Sequence, residues 1–284
     1  MKKIILFLLI PFLASCGNTQ QNKTSSNESI SDGEYGVFLG ANSSSLERIS
    51  NYKNVIIDLD EFEEKDITYL KDKGCGIYSY LSIGSLEKYR SYYEQYKDLT
   101  FMDYDNWPDE RWIDVSNEAW QNHLVSEANR LKNLKADGIF MDNFDVYYIV
   151  NEEYECSESF KEGIYNGCVS ILNKLCETGL KLIINSGTDF LKRINEENPT
   201  TLDKIDVYAQ ECVFSSIVDY EKDVFGKQDD ETSTYYKTII NLMKPHSKIL
   251  LIEYTKDETL ISEIENFCKT NNYYYYISSS VNLN

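Results

Sequence analysis

The sequence predicts an α/β protein of the (β/α)8 barrel class, and three observations support this prediction. From residue 34 onward, short apolar runs alternate with longer amphipathic segments, as in repeated βα units. Eight such short runs occur, which is the strand number of this barrel. These runs lie within about 250 residues, which is the usual length of one barrel domain.

The predicted strands are the short apolar runs, in chain order Tyr35–Gly40, Asn54–Asp60, Gly76–Gly84, Gly138–Asp145, Lys181–Gly187, Asp206–Phe214, Lys248–Thr255 and Tyr273–Ser279. Helices are predicted between them at Ser45–Asn51, Lys65–Lys73, Asn117–Leu134, Glu158–Thr178, Asp189–Glu196, Thr232–Met243 and Thr259–Thr270. Gly74 and Gly179 suit positions just after a helix, and Ser116 and Ser157 suit N-caps. No helical pattern follows the eighth run, so the helix ring is either incomplete there or closed by an earlier element.

The main rival is a doubly wound open sheet. That fold usually carries a glycine-rich phosphate-binding turn after its first strand, whereas Gly40–Ser45 has no GxGxxG pattern. The barrel is therefore the favoured architecture, and no nucleotide cofactor is expected.

The amino terminus predicts export. Lys2 and Lys3 precede the apolar run Ile4–Leu13, which is too short to span a membrane. Leu13 and Cys16 resemble a bacterial lipobox, which predicts a signal peptide over 1–15 and lipidation of Cys16. Residues 16–33 are polar and predict a tether to a domain over 34–284. We therefore expect an extracytoplasmic protein that is anchored to a bacterial cell membrane through its N-terminal lipid only.

Composition restricts the possible partners. The net charge of −19 makes the surface repel nucleic acid and anionic lipid and favours a neutral or cationic ligand. The six cysteines after Cys16 show no CxxC spacing, so no metal or redox motif is expected.

The segment Gly138–Asp145 joins an apolar run to a polar end. Its first four residues are apolar, as in a strand covered on both faces, and Asp142, Asn143 and Asp145 follow. Parallel α/β sheets place chemistry at such carboxyl ends. The alternative is a strand followed by an ordinary Asp/Asn turn.

Other predicted strands also end in polar residues that would meet at one face of the barrel. These residues are Asp58, Asp60, Tyr80, Ser82, Glu87, Asn185, Ser186, Gln210, Glu211, Glu253 and Tyr254. The alternative is chance, since strand ends are polar in general. Gly84 can simply permit a tight turn, and Asp58 can bond neighbouring backbone without touching ligand.

The chemistry of this face is narrowed by what it lacks. His123 falls inside a predicted helix and His246 before the seventh strand, so a Ser-His-Asp triad and multi-histidine metal sites lack parts. The strand ends also lack lysine, which argues against Schiff-base chemistry. Two carboxylates remain, the minimal apparatus of glycoside hydrolysis. Oxygen ligation of Ca²⁺ or Mg²⁺ is the alternative, without EF-hand-like spacing to support it.

An aromatic-rich segment of about thirty residues separates Gly84 from the helix near Asn117. Loops of this length in compact domains are usually functional, and ring faces stack on sugars. Trp107, Trp112 and several tyrosines therefore predict a carbohydrate groove. The alternative is a packed lid that buries these rings.

Three segments together resemble a known family. They are Tyr80–Gly84 with Glu87, Trp112–Val115, and Asp137–Asp145. In this order they resemble glycoside hydrolase family 114, whose members are similar to endo-α-1,4-polygalactosaminidases. The resemblance implies a (β/α)8 barrel, hydrolysis of α-1,4-linked galactosamine polymers, and catalytic carboxylates at Asp142 and Glu211.

We therefore predict a glycosidase that cleaves a cationic amino-sugar polysaccharide with two carboxylates and without cofactor or metal. Predicted substrate-binding residues are Asp58, Tyr80, Ser82, Glu87, Trp112, Asn143, Asp145, Asn185 and Glu253. Two alternatives stay open: a catalytically silent carbohydrate-binding lipoprotein, and a hydrolase of a different glycan.

Overall fold

The computed structural model describes residues 33–105 and 107–284, and it contains an eight-stranded parallel sheet. Its strands, in their order in the sheet, are β1 (Tyr35–Phe38), β2 (Asn54–Ile57), β3 (Gly76–Ser82), β7 (Gly138–Asp142), β8 (Lys181–Asn185), β9 (Val207–Glu211), β12 (Lys248–Tyr254) and β13 (Tyr274–Ser278). Strand order follows chain order, and the five smaller strands of the described residues lie outside this sheet. This is the (β/α)8 barrel that the sequence predicts.

The two ends of the sheet meet and nearly close the barrel. β1 and β13 lie side by side, and aromatic rings pack across the seam between them. The ring centroids of Tyr35 and Tyr274 are 4.9 Å apart, and those of Phe38 and Tyr276 are 5.4 Å apart. Such aromatic pairs add stabilisation beyond the apolar area that they bury.

The helices surround the sheet and connect successive strands. They are α1 (Leu46–Ile49), α2 (Glu64–Asp72), α3 (Tyr93–Tyr96), α4 (Glu118–Asn133), α5 (Val146–Tyr148), α6 (Glu158–Glu177), α7 (Thr188–Glu197), α8 (Asp230–Met243) and α9 (Glu258–Asn271). All seven predicted helices are present. Residues 279–284, after β13, form a bend, a turn and irregular chain.

Two insertions rise from the carboxyl ends of the strands. The first follows β3 and holds an antiparallel sheet of β4 (Ser85–Glu87), β6 (Glu110–Ile113) and β5 (Thr100–Asp103), in that order. The second follows β9 and is a hairpin of β10 (Ser215–Asp219) and β11 (Val224–Lys227). The aromatic-rich segment is therefore a small folded sheet and not an irregular loop.

The helix boundaries agree with the predicted capping residues at three of four positions. Gly74 and Gly179 have φ of +85° and +74°, the left-handed conformation expected after a helix. The side chain of Ser157 accepts a hydrogen bond from Phe160 N and caps α6. The prediction for Ser116 is wrong by one residue, because Asn117 caps α4 by accepting from Ala119 N.

The predicted signal peptide, the lipidation site Cys16 and almost all of the tether lie outside the described residues. Within the part of the chain that the structure describes, no helix is long and apolar enough to cross a membrane. The six cysteines of this part are free thiols.

Replacement of two glycines of α6 by alanine should have opposite effects on the stability of the protein. A Cβ at Gly167 would lie 2.5 Å from the carbonyl oxygen of Val115, so Gly167→Ala should lower the free energy of unfolding by about 1–3 kcal/mol. A Cβ at Gly163 would meet nothing closer than 3.5 Å, so Gly163→Ala should raise it by ~0.5–1 kcal/mol through helix propensity. Urea unfolding of both variants tests this difference, and equal shifts would contradict the packing of α6 on Val115.

Candidate active site

A cleft of about 800 Å³ opens at the carboxyl ends of the barrel strands, between the two insertions. Strand ends form its floor, including Asp142 of β7, Asn185 of β8 and Glu211 of β9. The insertion after β3 and the hairpin after β9 contribute its walls. This is the face where barrel enzymes carry out chemistry.

The lining of the cleft is strongly acidic. Six carboxylates line it, namely Asp58, Glu87, Glu110, Asp142, Asp145 and Glu211. Among the described residues that line it, none is lysine, arginine or histidine. The cleft therefore presents a negative field that favours cationic ligands.

Asp142 and Glu211 are held together by one amide. The Nδ2 atom of Asn185 donates to Asp142 Oδ1 at 3.0 Å and to Glu211 Oε1 at 2.7 Å. Asn143 N also donates to Asp142 Oδ1 at 2.9 Å, and the hydroxyl of Tyr254 donates to Glu211 Oε2 at 2.6 Å. The structure thus brings the two predicted catalytic carboxylates side by side on the cleft floor.

Proximity and burial perturb these acids. Desolvation and the neighbouring Glu211 carboxylate raise the pKa of Asp142 to about 8. The hydrogen bond from Asn185 lowers this pKa and so offsets part of the rise. Desolvation also raises the pKa of Asp145 to about 7, partly offset by the hydrogen bond from Gly187 N. Near neutral pH, the Asp142–Glu211 pair therefore carries a proton, as two-carboxylate catalysis requires.

Asn143 connects the end of β7 to the first insertion. Its backbone is left-handed, with φ +67°, which asparagine tolerates better than most residues. Its Nδ2 donates to the hydroxyls of Ser82 and Ser85 at 3.0 and 2.9 Å, and its Oδ1 accepts from Tyr104 at 3.1 Å. Asn143 lines the cleft, whereas Ser82 lies behind it and supports Asn143.

A buried arginine organises one side of the cleft. Arg90 contacts Asp58 at 2.8 Å and Glu87 at 2.5 Å, which joins the end of β2 to the first insertion. Tyr89 also donates to Glu87, at 2.7 Å. Asp58, Glu87 and Tyr80 line the cleft as predicted, although the Arg90 contacts neutralise part of the charge of the two acids.

Glu253 points away from the cleft, which corrects the expectation that it contacts substrate. Its carboxylate is fully buried and accepts from the backbone N–H groups of Val213, Phe214 and Ser215 at 2.9–3.2 Å. The hydroxyl of Ser215 donates to it as well, at 2.6 Å. Glu253 therefore fixes the turn that directly follows Glu211.

Trp112 does not line the cleft, and the prediction of substrate contact for it is corrected in the same way. Its side chain is buried and stacks on Tyr104 at a centroid distance of 4.3 Å, so that Tyr104 presents its other surface to the cleft. Trp107 instead lies on the rim, half-exposed, with its ring edge toward Tyr220 of the hairpin at 6.3 Å. The packed-lid interpretation therefore describes Trp112, whereas a sugar contact of Trp107 stays a prediction.

Sequence reasoning missed several lining residues, of which Glu110 is the most important. It lies on β6 of the first insertion and accepts from the hydroxyl of Ser85 at 2.7 Å. Burial and the nearby Glu87 raise its pKa to about 7. No strand-end rule pointed to it, because β6 does not belong to the barrel.

Among residues 33–105 and 107–284, no group of three or more His, Cys, Asp or Glu side chains is placed to hold a metal ion. The close contacts of Asp142 and Glu211 are with amide, backbone and phenol donors.

A (β/α)8 barrel with two adjoining carboxylates at its carboxyl-end cleft has the fold and the paired acids of a glycoside hydrolase. The particular family follows from the sequence: the model of glycoside hydrolase family GH114 matches residues 18–280, and the chain belongs to this family. A comparison with curated proteins gave no match.

Solved structures share the fold. The glycoside hydrolase domain of PelA from Pseudomonas aeruginosa has a TM-score of 0.72 at 19% identity, covering 88% of this chain and 95% of that one. Ega3 of Aspergillus fumigatus, solved in complex with galactosamine, has a TM-score of 0.66 at 18% identity, covering 93% and 98%. The α-galactosidase TtGalA of Thermus thermophilus, at 10% identity, has a TM-score of 0.57 over 86% of this chain and 57% of that chain.

The raised pKa of Asp142 predicts that this residue costs stability at alkaline pH. A carboxyl whose folded-state pKa exceeds its unfolded value gives stability below the unfolded pKa, near 4, that is lost as pH rises through about 8. Asp142→Asn keeps the acceptor Oδ1 and removes the charge. The free energy of unfolding of Asp142→Asn minus that of wild type should therefore be roughly 2 kcal/mol or more higher at pH 8.5 than at pH 4.

Urea unfolding at both pH values measures this gain. The exposed Asp98→Asn is the matched control, because it makes the same chemical change outside the cleft. A pH-independent effect of Asp142→Asn would show that the native environment of Asp142 does not disfavour its ionised form.

Proposed function

We propose that this protein hydrolyses α-1,4-linked galactosamine-type polysaccharide, with Asp142 and Glu211 as the catalytic carboxylates. The observation that carries the proposal is their shared contact with Asn185 Nδ2 inside a cleft whose lining is acidic. The raised pKa of Asp142, about 8, keeps this carboxyl protonated near neutral pH, as a general acid requires.

The spacing of the pair supports retention of anomeric configuration. Asn185 Nδ2 lies 3.0 Å from Asp142 Oδ1 and 2.7 Å from Glu211 Oε1. The distance between these two oxygen atoms therefore cannot exceed the sum of those two distances. Retaining enzymes place their carboxyl groups about 5–5.5 Å apart, and inverting enzymes ~6.5–9.5 Å apart to admit a water. The limit set by the bridge applies to one oxygen of each carboxyl group, and it is nearer to the first range than to the second.

The reaction then proceeds in two steps. The ionised carboxylate attacks the anomeric carbon and forms a glycosyl ester, while the protonated carboxyl gives its proton to the departing glycosidic oxygen. In the second step the deprotonated group takes a proton from water, whose oxygen attacks the anomeric carbon and releases the first carboxylate. Each step moves one proton, and the pair returns to its starting state.

The acidic cleft supports a substrate with positive charge. A polymer of unacetylated amino sugars carries ammonium groups, and carboxylates in a cleft attract such groups by long-range steering and by direct ion pairing. Ega3, which shares the fold, was solved with galactosamine bound. Trp107 and Tyr220 on the rim offer ring surfaces on which sugar rings can stack.

Release of reducing ends from α-1,4-galactosaminan by residues 33–284 tests the proposal. We expect turnover by wild type and losses of about 10²–10⁴-fold in kcat for Asp142→Asn and for Glu211→Gln, since each removes one of the two proton-handling groups. The released anomer, followed by NMR, should keep the α configuration. Asp98→Asn serves as the control with wild-type turnover.

Three other outcomes would contradict the proposal. Equal turnover by wild type and both variants would refute the catalytic assignment. Retention of the polymer without new reducing ends would indicate a carbohydrate-binding protein without activity. Turnover of other polysaccharides alone, in a panel of acetylated and deacetylated glycans, would indicate a hydrolase of a different glycan.

The amino-terminal sequence supports anchoring of this enzyme outside the cell through a lipid on Cys16. We expect the full chain, expressed in a bacterium, to incorporate radiolabelled palmitate and to enter the detergent phase on phase partition. Cys16→Ala should do neither. Palmitate incorporation by this variant would contradict the assignment of Cys16.

A further inference from the structure

The side chain of Asn185 is used in an unusual way. An asparagine amide has two N–H donors, and both of them point to the carboxylates of Asp142 and Glu211. Asn185 lies at the carboxyl end of β8, between the two strands that carry these acids, and it is only 4% exposed. Its position in the sheet therefore places one rigid donor pair between two like charges.

The other atom of the same amide has no partner. Asn185 Oδ1 is one of two buried side-chain atoms without a hydrogen bond in the described part of the chain. Leaving a buried acceptor unpaired is energetically costly, because the atom has lost its hydrogen bonds to water and gained none in return. Exchanging the two ends of the amide would not relieve this cost, because Oδ1 would then face two carboxylates and repel both.

We infer that Asn185 is the positioning residue of the carboxylate pair: it fixes the separation of Asp142 and Glu211 and offsets their mutual repulsion. The inference rests on the proposed function, because it names the group that makes the pair competent for that reaction. The unpaired Oδ1 is the cost of directing both donors at the pair, since the geometry that satisfies both carboxylates leaves no donor for it.

Other charged and titratable groups also face the pair and set the background for its titration. The Asp145 carboxylate interacts electrostatically with both Asp142 and Glu211, and this interaction between like charges is unfavourable. Phenol groups surround the pair, at Tyr80, Tyr104, Tyr220, Tyr236 and Tyr254. The side chains of Tyr254 and Asn185 donate hydrogen bonds to Glu211. Asn185 also donates to Asp142, so its amide bridges the two carboxylates.

Removal of the bridge should therefore change the titration of the pair as well as the rate. Hydrogen bonds from Asn185 favour the ionised form of Asp142, so their loss raises the pKa of this carboxyl further. In Asn185→Ala we expect kcat to fall about 10–100-fold with KM changed less than ~3-fold, and the alkaline limb of the pH–rate profile to move up by roughly one unit. Asn151→Ala is the matched control, because Asn151 donates to the backbone of Tyr147 outside the cleft.

A measurement that does not need activity separates this inference from the proposed function. Carboxyl ¹³C NMR of aspartate-labelled protein follows the titration of Asp142, with Asp142→Asn to assign the signal. The Asp142 signal should titrate at higher pH in Asn185→Ala, and at higher pH still in Asn185→Asp, which replaces the donors by a third carboxylate. Melting temperatures of both variants verify that they are folded.

The outcomes distinguish the two ideas. If no glycan is cleaved by wild type but the Asp142 titration moves as described, the proposed function fails and the positioning role stands. If wild type is active and Asn185→Ala matches Asn151→Ala in kcat and in the titration, the inference is wrong. A rise in KM without a change in the titration would make Asn185 a ligand contact and would also overturn it.

Discussion

Like charges held close together on the floor of a cleft are the constraint on which the active site depends. Asp142 and Asp145 lose hydration there, and neighbouring carboxylates, including that of Glu211, raise the free energy of their ionised forms. Fixed hydrogen-bond donors offset this cost. Backbone N–H groups of Asn143 and Gly187, the Asn185 amide and the Tyr254 hydroxyl all point at these carboxylates. Burial raises the pKa of Tyr254 well above its ordinary value, so this hydroxyl stays a donor.

The barrel provides the platform and the two insertions provide its walls. Arg90 ties the first insertion to the end of β2 through Asp58 and Glu87, and Asn143 ties it to the end of β7 through Ser82 and Ser85. The hairpin insertion is held from below by Glu253, which binds the turn between Glu211 and β10. Residues of the cleft floor and of its walls are thus joined by buried polar contacts, whose loss is costly because the interior offers no water to replace them.

The barrel strands and the acids at the end of β7 were predictable because both depend on short-range rules, whereas Glu211 was named as the partner of Asp142 by the family resemblance. An apolar run followed by acids describes β7 and Asp142 without knowledge of any other element. Trp112 was misplaced because the direction of its side chain depends on how β6 pairs within the insertion. Glu253 was misplaced for a different reason. Adjacent residues of a strand point to opposite sides, so Glu253 and Tyr254 do not both reach the cleft, and the side that faces it is set by the register of the whole barrel. Glu110 was missed because its position depends on how β4, β5 and β6 pair within the insertion.

The acids of the cleft also make the resting protein a carrier of exchangeable protons. Asp145 and Glu110 have pKa values raised to about 7, so both are partly protonated when the surroundings are neutral. A positively charged chain that enters the cleft stabilises their ionised forms, and protons leave as it binds. Binding of such a polymer is therefore thermodynamically linked to pH. The polymer binds more tightly as pH rises, as long as its ammonium groups keep their charge.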